Sequence, residues 1–194
     1  MKKALYRLIF FRLMGWRITG HMDPAIRKSV LMVMPHTSWR DFYIGLFARG
    51  IIGMEMHYVA KKELFRFPFG GWFRWMGGQP LDRTGNQNTV DAIVEIFGRR
   101  DPFRMAIAPE GTRKKVDSLK TGFYYIAHKA GVPIIPIAFD YGARTLKIGN
   151  PFTPSGSIET DLPILLRHFV GVTGKFPARG FGAGQTTSHG IDTV

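Results

Sequence analysis

His36 is followed five residues later by Asp41, and this pair is where the chain's chemistry begins. Histidine titrates near neutral pH, so its ring can take up and return a proton under working conditions. A carboxylate in reach of the ring fixes its tautomer and stabilises the imidazolium. In a chain with six histidines the spacing alone is a weak signal. Placement strengthens it. His36 comes just after the unbroken apolar run 30–34, and open α/β sheets hold ligands beyond the carboxyl ends of their strands. The chain has no cysteine and no Gly-x-Ser-x-Gly elbow, and Ser38 reads as a helix N-cap. The simplest reading is a general base acting on a hydroxyl of the substrate itself, without an acyl-enzyme.

Three further stretches could hold a ligand. Ala-Pro-Glu-Gly-Thr-Arg-Lys-Lys, 108–115, also follows a strand-like run. Glu110 and Gly111 open a turn there, Thr112 can donate a hydrogen bond, and Arg113 can fork onto a phosphate. Lys114 and Lys115 read as solvated surface charge. In Gly-Gly-Gln-Pro-Leu-Asp-Arg-Thr-Gly, 77–85, Arg83 is a second phosphate-binding candidate. Val132, Pro133, Ile134, Ile135 and Pro136 could wall an acyl channel, or serve only as core.

The elements that would position these residues alternate. Residues 30–34, 56–60, 103–108 and 133–139 read as strands, and 38–50, 89–100, 121–131 and 158–169 as helices. Gly50 is expected to stop the first of these helices and Gly131 to close the third. The two prolines in 133–139 predict an edge or irregular strand. The alternation predicts an α/β domain: a mostly parallel central sheet flanked by helices. Residues 4–16 read as an amphipathic helix with Leu5, Leu8, Ile9, Leu13 and Trp16 on one side. Arginines and lysines surround it, which suits either the lipid interface or packing on its own domain. From Gly171 onward glycine and small polar residues predict a loose tail. The expected organisation is therefore a membrane-interface helix over 1–22, the α/β domain over 23–170 and the tail over 171–194.

Charge narrows the partners. With 27 Lys+Arg against 14 Asp+Glu the formal net charge is +13, which favours an anionic membrane surface, a phosphorylated substrate or nucleic acid. The basic residues are spread along the chain, not gathered in a nucleic-acid motif, so nucleic acid is not the expected partner. The absence of cysteine excludes disulfides, a thiol nucleophile and cysteine-ligated zinc. No apolar stretch reaches the ~20 residues a spanning helix needs. Arg7, Arg12 and Arg17 interrupt what would be the apolar core of a signal peptide.

Taken in order, the four stretches resemble the glycerolipid acyltransferase family of the 1-acyl-glycerol-3-phosphate (PlsC-like) type, over about residues 30–150. The His-x-x-x-x-Asp block matches His36 to Asp41, and the second block matches 77–83. The Pro-Glu-Gly-Thr-Arg block matches Pro109 to Arg113, and the Val-Pro-Ile-Ile-Pro block matches Val132 to Pro136. Departures are Pro35 for Asn, Pro80 for an aromatic residue and Ala108 for Phe. The resemblance implies that His36 is the base and Asp41 its orienting partner. It also implies that Arg83, Glu110, Gly111, Thr112 and Arg113 hold the acceptor's phosphate. The reaction implied is acyl transfer from acyl-CoA or acyl carrier protein to the hydroxyl of a lysophospholipid, lysophosphatidate first, with no cofactor and no metal. The implied place is the cytoplasm, peripherally on the inner face of the cell membrane. Two alternatives stand beside it: another lyso-lipid, aminolipid or glycolipid acceptor, and a non-catalytic basic membrane- or nucleic-acid-binding module.

Overall fold

A strand covered on both faces must be apolar on both, and the run Val30 to Met34 meets that condition. In the computed structural model, which describes residues 2–61, 66, 70–75, 77–81, 89–181 and 191–192, this run forms the greater part of β2 (Lys28–Met34). β2 lies between β5 (Phe103–Ile107) and β7 (Ile134–Asp140), parallel to both, with Val30 opposite Met105 and Ile134. The seven-stranded sheet is completed by β1 (Arg17–Thr19), β3 (His57–Lys61), β4 (Gly78–Leu81) and β8 (Thr145–Ile148). Its order is β1-β8-β7-β2-β5-β3-β4, and among the described strands only the β7–β8 pair is antiparallel.

Helices cover each face. On one side α4 (Thr89–Arg99), α5 (Gly122–Ala130) and α6 (Ile158–Leu166) pack over the sheet. Phe97, Phe103, Phe123, Tyr124, Ile134 and Leu165 form the core there. On the other, α1 (Lys2–Arg7), the π-helical turn Leu8–Leu13 and α2 (Arg40–Ile52) bury Phe10, Leu31, Ile44, Ile135 and Phe139. The predicted α/β architecture is the observed one. Between β3 and β4 along the chain comes α3 (Gly70–Trp75), and β6 (Leu119–Lys120) pairs with β9 (Ile191–Asp192) in a separate small ladder.

Several local expectations are corrected. β7 is neither an edge nor irregular: every residue in it is buried, and it pairs on both sides. Pro136 fits because the β8 ladder stops at Ile137–Ile148 and resumes only at an isolated bridge between Ile134 and Phe152. No N–H is required of Pro136 there, while its carbonyl accepts from the Gly149 N–H. α2 does not stop at Gly50, whose bare Cα lies against the Tyr6 ring; Gly53, at φ 79°, closes it instead. The amino-terminal segment turns by i→i+5 bonding, with Met14 N–H on the Ile9 carbonyl, so an α-helical stripe does not describe its faces. Phe10 and Trp16 are buried, whereas Leu5, Leu8 and Leu13 are exposed. Residues 17–19 join the main sheet, so the expected leading segment 1–22 is not helical throughout.

The expected loose tail also departs from the structure over its described part, 171–181. Tyr141 N–H donates to the Thr173 carbonyl and Phe176 N–H to Thr37 Oγ1. A Cβ on Gly174 would lie 2.8 Å from Thr37 Oγ1, so only glycine lets this strap lie flat on the loop after β2.

Candidate active site

The loop Pro35–Trp39 leaves the carboxyl end of β2 and enters α2, and its backbone is tied down link by link. His36 N–H donates to Glu110 Oε2 at 2.7 Å, Ser38 N–H to Asp41 Oδ2 at 2.9 Å, and Arg40 N–H to Ser38 Oγ at 3.2 Å. Ser38 therefore holds the helix start as expected in kind, although Trp39 occupies the cap position. These bonds place His36 Nδ1 3.1 Å from Asp41 Oδ2. Asp41 is 1% exposed and the His36 side chain 30%. With Nδ1 turned to the carboxylate, that nitrogen carries the proton, and Nε2 is left as the basic nitrogen of the ring.

Asp41 has a third partner that sequence reasoning missed. The Tyr141 hydroxyl donates to Asp41 Oδ1 at 2.6 Å across a separation of 100 residues. Burial, reinforced by the Asp41 carboxylate, holds this phenol well above its usual range, so it remains a donor at any working pH. The Tyr141 ring stands edge-on to Trp16 at 5.0 Å. Its turn is fixed by Asp140, which accepts from Ala143 N–H at 3.1 Å and pairs with Lys147 at 2.7 Å. The one available signal was position: Tyr141 follows the last residue of a strand adjacent to β2.

Glu110 sits at the carboxyl end of β5, next to β2, in a turn closed by Gly111 N–H on the Ala108 carbonyl. Gly111 has φ 63°, a conformation that suits glycine. Glu110 is 2% exposed and points at the His36 loop, and its Oε1 has no hydrogen-bond partner among the described residues. Burial raises its carboxyl to about 7, against the pull of the His36 N–H. Thr112 Oγ1 accepts from Lys114 N–H at 3.3 Å, and Arg113, Lys114 and Lys115 are exposed.

The structure thus brings His36, Asp41 and Glu110 together, with the Thr112–Arg113 turn following on the chain. Arg83 lies outside the described residues. Of the fourth block, Ile134 fills the core on one face of the sheet and Ile135 the core on the other, as neighbours on a strand must. Val132 is buried in the Ile134 cluster.

At the end of the middle strand of the sheet the partly exposed His36 ring is thus held by the buried Asp41 carboxylate, with the Glu-Gly-Thr-Arg turn beside it. The family model described as Acyltransferase matches residues 17–140, and the chain belongs to that family. It is similar to the 1-acyl-sn-glycerol-3-phosphate acyltransferase of Streptococcus pneumoniae, 30% identical over 144 residues, which span 70% of this chain and 53% of that protein. The Escherichia coli enzyme of the same name is 40% identical over 101 residues, 47% of this chain and 40% of its own. The chain thus spans about half or less of these two relatives. The Bacillus subtilis enzyme of that name is 29% identical over 151 residues, 71% of this chain and 73% of its own. In fold, the chain is similar to PlsC from Thermotoga maritima, with a TM-score of 0.58 and 22% identity over 86% of this chain and 74% of that one.

Proposed function

We propose that this chain transfers a fatty acyl group from an acyl thioester to the free hydroxyl of a lysophospholipid, lysophosphatidate first. The observation that carries this reading is the His36–Asp41 contact at the carboxyl end of β2, beside the Glu110 turn. The names of the relatives supply the acceptor.

In the proposed reaction, His36 Nε2 takes the proton of the acceptor hydroxyl as its oxygen attacks the thioester carbonyl. Asp41 balances the imidazolium that forms. The carbon–sulfur bond then breaks, and the imidazolium returns its proton to the departing thiolate, leaving an ester and a free thiol. A thioester is already activated, so positioning and one base can suffice. Arg113 and Thr112 project from the turn on the β5 side and are assigned the acceptor's phosphate, with Arg83 as a second cation. Glu110 acts differently from a phosphate ligand: its carboxyl is spent on the His36 backbone.

Among the described residues no helix is long and apolar enough to cross a membrane. Leu5, Leu8 and Leu13 stand exposed beside Lys2, Lys3, Arg7 and Arg12 on the amino-terminal segment, and this face is assigned to an anionic lipid surface.

The test is an assay of the purified chain with lysophosphatidate and acyl-CoA or acyl carrier protein, beside His36→Ala. The expected outcome is ester formation that falls by ~10²–10⁴-fold in the variant while its fold and Tm persist. Undiminished turnover by His36→Ala would refute the mechanism. Equal turnover with a phosphate-free lyso-lipid would refute the assignment of the acceptor.

A further inference from the structure

The strap 171–181 crosses the loop that carries His36 and meets each support of the His36–Asp41 pair in turn. At its start the Thr173 carbonyl accepts from the Tyr141 N–H at 2.8 Å, and Tyr141 is the residue whose hydroxyl bonds Asp41. In its middle the Phe176 N–H donates to Thr37 Oγ1 at 3.2 Å, on the residue next to His36. Gly174 and Gly180 both lie against Pro35, on the other side of His36 along the chain. At its end the Phe181 N–H is near enough to Glu110 to favour the ionised carboxyl, and Glu110 accepts the His36 N–H.

These contacts are not those of a core element. Residues 175–179 are all exposed, so the segment adds little buried apolar surface. Thr37 shows what the crossing does. It is fully buried, and a buried hydroxyl without a partner costs about 1–3 kcal/mol, so a residue needed for packing alone would be apolar there. Its partner among the described residues is the Phe176 N–H, 139 residues further along the chain. The His36 side chain, by contrast, is 30% exposed, so packing alone does not fix its ring. The backbone on either side must fix it: the His36 N–H is tied to Glu110, and the next residue is tied to the strap.

We propose that the strap clamps this loop and that Thr37 is a positioning residue, whose hydroxyl, bonded by the Phe176 N–H, keeps the His36 ring on Asp41. This inference rests on the acyl-transfer reading for the reaction it serves. A base works at full rate only in the right geometry, and a displacement of about 1 Å can cost ~10²-fold. The strap is the element that closes the loop from above once β2 and α2 have set its two ends.

The experiment compares the full chain with three variants. Thr37→Val keeps the shape and removes the acceptor, and Thr37→Ser keeps the acceptor. Gly174→Ala places a Cβ 2.8 Å from Thr37 Oγ1, which lifts the strap and covers the case in which Thr37→Val misfolds. Nitrogen NMR of the His36 imidazole, assigned by its loss in His36→Ala, reads which ring nitrogen carries the proton. Wild type and Thr37→Ser are expected to show the Nδ1-protonated ring, and Thr37→Val and Gly174→Ala a mixture of both tautomers. In the transfer assay these two variants should lose about tenfold in kcat, with KM for both substrates within twofold of wild type and Thr37→Ser restored. Three results overturn the inference. The first is an unchanged kcat or an unchanged ring in both Thr37→Val and Gly174→Ala, whatever their Tm. The second is the same loss in Thr37→Ser, and the third is a raised KM for one substrate in place of the fall in kcat. If the wild type transfers no acyl group, the ring spectrum still decides: a mixed tautomer in the variants upholds the clamp and defeats the proposed reaction alone. Full transfer by every variant with the ring unmoved does the reverse.

Discussion

Asp41 is the residue on which the site's geometry converges. It is buried and receives three hydrogen bonds, from the His36 ring, the Ser38 N–H and the Tyr141 hydroxyl. Sequence made His36 and Asp41 legible because their spacing and their place after a strand are local features. Tyr141 was not legible, because its partner lies 100 residues away and nothing periodic marks it. Tyr141→Phe keeps the ring and removes only the bond to the carboxylate. On the proposed mechanism it should lower kcat about tenfold with KM for both substrates near wild type. A lowered Tm with unchanged kcat would assign the hydroxyl to folding alone. Glu110 was legible as a motif residue but not as a buried one. Its carboxyl, ordinarily near 4.5, is raised to about 7 in the fold. The folded state therefore holds its proton where the unfolded chain has lost it. Stability from this residue is full below pH 4.5 and declines as the pH climbs to 7, by about 3 kcal/mol in all. Glu110→Gln, which can still accept the His36 N–H, should flatten that decline in denaturant melts taken across this range. An unchanged slope would show that another group titrates there.

At the scale of elements, periodicity and capping glycines placed α4, α5 and β5 because their signals are contained within each segment. Gly131, at φ 63°, closes α5 as read. The reading failed where one element depends on a distant one. Proline in 133–139 argued for an edge strand, yet β7 is central, because Gly149 vacates the space the Pro136 ring needs. A Cβ there would lie 2.6 Å from Pro136 Cγ and 2.9 Å from the His168 ring. Gly149→Ala should accordingly cost roughly 1–3 kcal/mol in chemical denaturation, as overpacking does. No loss would mean that the β7–β8 junction can shift at little cost. The strap 171–181 was misread for a similar reason: a glycine-rich composition gives no hint that Gly174 is glycine so as to rest on Thr37 and Pro35.

For the whole molecule, alternating strands and helices announced the architecture, and the observed sheet bears it out. What the order of elements along the chain did not disclose is their order across the sheet, which depends on which crossovers pair. That spatial order puts β2 between β5 and β7, so the loop bearing His36 has one neighbour on each side. On the proposed reaction, a single proton acceptor then has a separate strand-end loop on either hand for its two reactants.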